Sequence, residues 1–198
     1  WKDASYHQDH VLLREARQVA GHAVRQVYYL AGAADLVAEQ EDAGISEALD
    51  RLWHNMTSAH LYLGGGIGPR WEIEGFGDDY EMPPHHAHCE SCASVGSFMW
   101  NWRMLQMTGE GRFADLCEHT LYNSAISGVS LDGERFFYQN PLGDSGHHQR
   151  SEWFEVACCP SNIARLLAQL PGYMASRRDN GLVIHFYSAM DIELPLES

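Results

Sequence analysis

The sequence has no apolar run long enough to cross a lipid bilayer, which requires roughly 18 to 20 consecutive apolar residues. The opening segment WKDASYHQDH has neither the basic start nor the apolar middle of a secretory leader. We therefore expect no membrane span and a cytoplasmic location. A periplasmic or secreted location stays open, since a chain that starts at Trp1 is expected to be part of a longer one.

Basic residues are scarce: 13 Lys and Arg stand against 27 Asp and Glu, which gives a net charge of −14. The densest basic run, formed by Arg14, Arg17 and Arg25, is too sparse to bind the phosphates of a nucleic acid, which require clustered Lys and Arg. This balance argues against a nucleic-acid partner and is compatible with a neutral substrate. The 198 residues, 45% of them apolar, suffice for one sizeable core.

A disulfide framework is also missing. The chain has five cysteines, an odd number, and Cys158 and Cys159 are adjacent, which rarely suits a structural disulfide. With no secretory signal in view, metal binding or catalysis explains these cysteines better than disulfides do. Cys117 falls within a helical stretch and is expected to be a core residue.

The sequence does have strong helical periodicity. Apolar residues recur at steps of three and four along most of the chain, which is typical of helices that bury one face. This spacing predicts helices over residues 9–30, 45–59, 93–107, 112–126 and 160–174, with 35–42 a short helix or a continuation of the first. We therefore expect an all-α domain of antiparallel helices.

Two kinds of segment interrupt the helices. Residues 63–84 are rich in glycine and predict a long loop, and loops of this length in a compact domain are usually functional. Asp132-Gly133 predicts the turn of a hairpin whose return strand covers residues 136–138. The tail over residues 182–194 has a strand-like composition. We expect functional loops at one end of the helices and the beginning of a β module at the C-terminus.

The long loop carries a candidate general acid, Glu74, which is flanked by apolar residues. A carboxyl group that is buried among apolar neighbours resists ionisation and can act as an acid near neutral pH. The alternative is a solvated acidic loop. That alternative applies equally to the other carboxylates of the loop, Glu72, Asp78, Asp79 and Glu81.

A metal site is predicted at two helix N-termini. Glu90 and Cys92 can converge on one ion only in extended chain, since residues two apart on a helix face different ways. Cys158 and Cys159 precede Pro160, which suits the first position of a helix, where unpaired N–H groups favour thiolate over thiol. Together the three cysteines and the glutamate could form a tetrahedral Cys₃Glu zinc site.

Other arrangements of these residues stay open. Buried apolar cysteines would need no metal; Cys89 and Cys92 form a CxxC pair that could be redox-active, or Cys89 could join the other cysteines in a Cys₄ site. His22 lies beside the apolar stripe of the first predicted helix, where a hydrogen-bonded core histidine is the favoured interpretation. The remaining histidine clusters are candidate ligands or, more commonly, exposed loop residues: His85, His86 and His88, and His147-His148.

Five long motifs resemble glycoside hydrolase family 127, the family of β-L-arabinofuranosidases. They are REARQVAGHAVRQVYYLAGAADL, YLGGGIGPRWEIEGFGDDYEMP, CESCASVGSFMWNWRMLQMTG, LDGERFFYQNPL and WFEVACCPSNIARLLAQLPGY, and they run in order over nearly the whole chain. The resemblance implies a retaining exo-glycosidase that releases L-arabinofuranose from β-L-arabinofuranosides. It also implies an (α/α)₆ barrel followed by β-sandwich domains, with residues 1–176 as the C-terminal part of the barrel and residues 177–198 as the start of a β module.

The resemblance also implies roles for particular residues. In this family one glutamate and three cysteines hold a zinc ion, and the matching positions here are Glu90, Cys92, Cys158 and Cys159. Cys158 corresponds to the nucleophile and Glu74 to the general acid/base. The positions that contact the sugar match His22, Tyr138 and Glu118. The implied partner is a carbohydrate, a β-L-arabinofuranoside or a related plant glycan, and a homodimer is left open.

Two departures from the family pattern keep other functions in view. Cys89 and the histidines before it are not part of the pattern, so Cys89 could compete for the metal. A complete (α/α)₆ barrel needs more helices than this sequence predicts, which indicates only part of a catalytic domain. The competing hypotheses are a non-catalytic protein whose cysteines bind zinc only to brace two helices, and a redox protein.

Overall fold

The computed structural model describes residues 3–178 and 181–193, which form mainly helices joined by long loops. No helix in this part of the chain has both the length and the apolar character needed to cross a membrane. One two-stranded antiparallel sheet lies near the C-terminus. The elements are α1 (Ala23–Gln40), α2 (Ala43–Asn55), α3 (Ser91–Thr108), α4 (Gly111–Thr120), α5 (Cys158–Gln169), β1 (Ala175–Arg178) and β2 (Gly181–Ile184).

Helix α3 is the central element of the domain. Every residue from Ser91 to Asn101 is buried, so the N-terminal half of the helix contacts protein on all sides. Helices α1, α4 and α5 all pack against it. Gly96 permits the close approach of α1, because a Cβ at this position would lie 2.5 Å from Cγ2 of Val27. The N-terminus of α3 is consequently fixed within the core.

Two apolar clusters stabilise this arrangement. One joins α1, α2 and α3 around Leu30, Leu52 and Trp100. The other joins α3, α4 and α5 around Phe98 and Ile163. Because each of these side chains is almost fully buried, each contributes about 1.5–3 kcal/mol through the hydrophobic effect. The two clusters together hold α5 and α1 at fixed positions relative to α3.

The first predicted helix is wrong in its N-terminal half. The apolar stripe over residues 9–30 predicted one helix, but α1 begins only at Ala23. Gly21 breaks the helix, since its φ of +68° lies in the left-handed region and a Cβ there would lie 2.0 Å from the carbonyl oxygen of Ser5. His22 is therefore the N-cap of α1 and does not lie inside a helix.

The remaining predicted helices and the long loop are confirmed, whereas the predicted hairpin is confirmed only as a turn. Gly133 has a φ of +78°, and the Ser130 N–H donates to the Arg135 carbonyl at 2.8 Å. Residues 136–138 form no regular strand. They make isolated bridges instead, because Phe136 pairs with residues on both sides and the chain then crosses the N-terminus of α3.

The C-terminal strand is shorter than predicted. Strand β2 ends at Ile184, and residue 194 of the predicted strand lies outside the described residues. The chain turns inward after β2, because Phe186 is buried against Phe98 in the second apolar cluster. The boundary predicted between residues 176 and 177 falls inside β1 and stays a prediction.

Replacement of Leu30 by alanine should lower the free energy of unfolding by about 2–5 kcal/mol, because the buried side chain leaves a cavity in the α1–α3 cluster. Leu131→Ala is the matched control: this leucine is fully exposed, and its loss should change the free energy by less than about 0.5 kcal/mol. Chemical denaturation measures both changes. Similar losses for the two variants would contradict the core described above.

Candidate active site

Two helix N-termini face each other and bring four potential metal ligands together. Glu90 is the N-cap of α3, and Cys92 lies in its first turn. Cys158 and Cys159 are the first residues of α5, as predicted. Oε1 of Glu90 lies 3.4 Å from Cys158 Sγ and 3.6 Å from Cys159 Sγ, while the Cys92 and Cys159 sulfurs are 3.4 Å apart. We call these four residues the Cys₃Glu cluster.

The segment around Tyr138 fixes the N-terminus of α3 and adds a hydroxyl to the cluster. The Ser91 N–H donates to the Tyr138 carbonyl at 2.9 Å, and Ser91 Oγ donates to the Phe137 carbonyl at 2.7 Å. Asn140 Nδ2 donates in turn to Ser91 Oγ at 2.9 Å. These bonds satisfy polar groups that a buried helix N-terminus would otherwise leave unpaired. They also place the Tyr138 hydroxyl 3.3 Å from Cys158 Sγ.

Asn162 holds the sulfur of Cys92. Its Nδ2 donates to Cys92 Sγ at 3.0 Å, and its Oδ1 accepts from the Tyr28 hydroxyl at 3.2 Å and from Arg165 at 2.7 Å. Because both ends of the amide are engaged, α1, α3 and α5 are joined at the cluster. The role of Asn162 was not predicted from the sequence. The available signal was its position one helical turn after Cys158, on the same face of α5.

The cluster concentrates negative charge on Cys158. Hydrogen bonds from Cys159 and Cys92, together with one from Tyr138, lower the pKa of the Cys158 thiol far below its usual range, although burial acts in the opposite direction. The hydrogen bond with Cys158 raises the pKa of Cys159, and it also raises the pKa of Cys92. The three residues therefore share one thiolate. Its location on Cys158 agrees with exposure, since Cys158 is half-buried and the other two are buried.

A histidine–glutamate pair adjoins the cluster. His22 Nε2 lies 3.2 Å from Glu74 Oε2, and one donor atom each of His22, Glu74 and Glu90 lie within 4.8 Å of one another. Burial lowers the pKa of His22, although the negative charges of Glu90 and Glu74 act to raise it. Its Nδ1 accepts the Arg25 N–H at 3.5 Å, so a neutral ring carries its proton on Nε2 and donates it to Glu74.

Glu74 occupies an unusual backbone conformation. Its φ of +47° is rare for a residue other than glycine and is typical of functional sites. The Ala23 N–H donates to its carbonyl at 3.0 Å, and its own N–H donates to the Trp71 carbonyl at 3.3 Å. The side chain is 37% exposed, so the carboxyl is only partly buried and is not enclosed by its apolar neighbours. This turn keeps the carboxylate accessible while the nearby Phe76 enters the core.

The Cys₃Glu cluster has the composition of a metal site. Glu90 is 3% exposed, and its Oε2 has no hydrogen-bond partner in the described part of the chain. An unpaired buried carboxylate oxygen is costly unless a cation or a donor compensates it. One donor atom from each of the four residues lies within 4.8 Å of the others, and thiolates with a carboxylate are typical transition-metal ligands. These residues can therefore hold a metal ion.

The other predicted residues lie apart from the cluster. Cys89 packs in a separate small apolar group, where burial raises its pKa to about 12. This position favours neither a redox pair with Cys92 nor a Cys₄ site.

Glu118 is half-buried on α4, and within the described ranges no hydrogen bond or ion pair joins its side chain to the cluster; its sugar contact stays a prediction. Cys117 is a core residue, as predicted, and three histidines of the two predicted clusters are exposed: His85, His86 and His147.

The fold and the site define a helix-rich domain in which a cluster of three cysteines and a glutamate, which could hold a metal ion, adjoins a histidine–glutamate pair. Comparison with known proteins agrees with this class. The family model of the GH127 catalytic domain of β-L-arabinofuranosidases matches residues 1–172. The chain belongs to glycoside hydrolase family 127.

Three relatives illustrate the similarity. A non-reducing end β-L-arabinofuranosidase of Bifidobacterium longum subsp. longum is 36% identical over 183 residues, which cover 87% of this chain and 28% of that protein. A solved GH127 β-arabinofuranosidase has a TM-score of 0.90 and 42% identity over 92% of this chain and 29% of its own. A GH127 β-L-arabinofuranosidase from Geobacillus stearothermophilus T6 has a TM-score of 0.90 and 38% identity, over 94% of this chain and 32% of its own. The chain thus spans less than a third of these relatives.

In metal-free protein, iodoacetamide should alkylate Cys158 before the other cysteines. A lowered pKa keeps the reactive thiolate populated as the pH falls below the ordinary thiol value of about 8.5, so labelling should persist well below pH 7. Cys117 is the internal control, because burial raises its pKa and blocks access. Peptide mass mapping across a pH series measures the order of labelling. Preferential labelling of Cys92 or Cys159 would contradict the charge distribution described here.

Proposed function

We propose that this chain forms the reaction centre of a retaining exo-glycoside hydrolase that releases L-arabinofuranose from β-L-arabinofuranosides. The observation that carries the proposal is the meeting of a half-buried thiolate with an accessible carboxylic acid, since both Cys158 and Glu74 approach Glu90. Family membership and the activity of the relatives named above support the reaction class and the sugar. Retention of configuration requires a nucleophile and a separate acid/base, and this site offers both.

Cys158 is the nucleophile in this proposal. Its thiolate attacks the anomeric carbon while the bond from that carbon to the leaving oxygen breaks. The product of this step is a thioglycosyl intermediate covalently bound to Sγ. The Tyr138 hydroxyl lies 3.3 Å from this sulfur and stabilises it as an anion before attack and after release.

Glu74 is the general acid/base. It donates its proton to the leaving oxygen in the first step and, as a carboxylate, takes a proton from the water that attacks the anomeric carbon in the second. That attack returns Sγ to the thiolate form and restores the original configuration. The Nε2–H of His22, directed at Glu74 Oε2, orients the carboxyl for both steps. The exposure of Glu74 gives the leaving group and the water access to it.

The metal proposed for the cluster is zinc, held by Glu90, Cys92, Cys158 and Cys159. When bound, zinc keeps the Cys158 thiolate deprotonated at neutral pH. The chain's own contribution is the fixed direction of the ligands. Two packed helices supply them, and the unpaired N–H groups at the start of α5 favour negative charge on Cys158.

His22 and Tyr138 are proposed to contact the sugar. They border the reaction centre on two sides, because His22 contacts the acid/base and Tyr138 contacts the nucleophile. Glu118 is a further sugar contact carried over from the family. We also propose that residues 1–176 form the C-terminal part of an (α/α)₆ barrel and that residues 177–198 begin a β module. The described residues support the helical part of that architecture.

Cys158→Ser should reduce hydrolysis of an aryl β-L-arabinofuranoside by the complete protein by more than about 10³-fold, as expected when a nucleophile is lost. Steady-state rates measure the loss, and zinc content shows whether the cluster survives with a weaker ligand. Full activity of the variant would exclude Cys158 as the nucleophile. A wild-type protein that binds one zinc ion but hydrolyses no glycoside would favour the structural zinc site instead.

Glu74→Gln should slow the hydrolysis of substrates with poor leaving groups by about 10²–10⁴-fold, because the amide has no proton to donate. Activated leaving groups need less protonation, so the loss for the first step should be smaller with them. Glu72→Gln is the matched control, since Glu72 is an exposed carboxylate on the same loop. Pre-steady-state rates with a series of aryl leaving groups show whether the loss depends on the leaving group. An equal loss for all leaving groups would argue against Glu74 as the acid.

A further inference from the structure

A buried histidine next to the cluster has no role in the mechanism above. His88 has a side chain that is 3% exposed, and neither of its ring nitrogens has a hydrogen-bond partner in the part of the chain that the structure describes. Its Nε2 lies 3.5 Å from Oε2 of Glu90, the buried carboxylate oxygen that also has no partner. We propose that His88 is a positioning residue, which donates its Nε2–H to this oxygen and thereby fixes Glu90 as a metal ligand.

The two oxygens of Glu90 face different groups. Oε1 lies close to the sulfurs of Cys158 and Cys159, whereas Oε2 lies next to His88. A donor on Oε2 prevents rotation of the carboxylate and keeps Oε1 directed at the metal position. A ligand whose outer atom is held by a hydrogen bond is already oriented before the metal binds, so less order has to be gained on binding.

The ring of His88 is itself held in place. Trp71 contacts it edge to face at a centroid distance of 5.2 Å, and the Tyr138 ring lies 6.0 Å away on another side. The backbone is also fixed, because the His88 N–H donates to the Pro69 carbonyl at 2.9 Å. Since ring and backbone are both restrained, the 3.5 Å separation from Glu90 reflects a built arrangement of two buried groups.

His22 also lies close to Glu90 in the described part of the chain, but its nitrogens have other partners. Its Nε2–H is directed at Glu74, and its Nδ1 accepts a backbone N–H. A proton on Nε2 of His88 satisfies the buried carboxylate oxygen and leaves only an acceptor, Nδ1, unpaired. Buried unpaired donors are rarer in proteins than buried unpaired acceptors, so this tautomer is the favoured one.

Zinc affinity tests the inference, which rests on the metal site of the proposed function. Glutamine at position 88 places its amide nitrogen about where Nε2 lies, whereas asparagine is too short to reach Glu90. In the complete protein, His88→Asn and His88→Phe should therefore weaken zinc binding by about 10- to 100-fold, and His88→Gln should stay close to the wild type. Competition with a chromogenic chelator measures the dissociation constants, and the absorption of bound Co²⁺ reports the ligand geometry.

His60→Phe is the matched control. His60 is an equally buried histidine with its own carboxylate partner, Asp79 at 2.9 Å, outside the cluster, so its loss should leave zinc affinity unchanged. Equal zinc affinity of the asparagine and glutamine variants would overturn the inference, even if the phenylalanine variant does not fold. A wild type without zinc affinity would overturn both the inference and the proposed metal. If zinc affinity falls in the asparagine and phenylalanine variants but not in the glutamine variant, and the protein still hydrolyses no glycoside, the role of His88 is supported and only the proposed function is contradicted.

Discussion

The burial of the N-terminal half of α3 is the constraint on which the site depends. Because this half contacts protein on every side, the N-cap residue Glu90 and the adjacent Cys92 have fixed positions relative to α1 and α5. The packing of Ile163 against the same helix then brings the first turn of α5, with its two cysteines, to the carboxylate. The packing of the core thus places the carboxylate of Glu90 within a few ångströms of the cysteine sulfurs.

Glu90 connects the two halves of the site. On one side it approaches the sulfurs, where hydrogen bonds from two thiols and a hydroxyl stabilise a single thiolate on Cys158. On the other side it adjoins His22 and Glu74, whose side chains lie 3.2 Å apart and which we propose as the histidine that orients the acid and the acid itself. The proposed nucleophile must lose its proton, and hydrogen bonds to Cys158 lower the pKa of its thiol although burial opposes them. Glu74, the proposed acid, lies apart from the sulfurs, and its partial exposure leaves it accessible.

The sequence predicted the parts of the structure that depend on local signals. Periodicity located most helices, and Pro160 indicated that Cys158 and Cys159 open α5. Gly21 prevents the first helix from starting before Ala23 through its close approach to Ser5, which no local pattern reveals. The roles of Asn162 and His88 likewise depend on side-chain contacts between distant segments. The conformation of Glu74 was unpredictable for the same reason, because backbone contacts with α1 hold its positive φ.

Trapping of the covalent intermediate tests the central claim most directly. Glu74→Gln in the complete protein should accumulate it with an activated aryl β-L-arabinofuranoside, because water then lacks a base while the first step needs little acid assistance. Peptide mass spectrometry after rapid acid quench locates the label. We expect one pentosyl group on the sulfur of Cys158. A label on another residue, or steady turnover with inversion of configuration and no label, would contradict it.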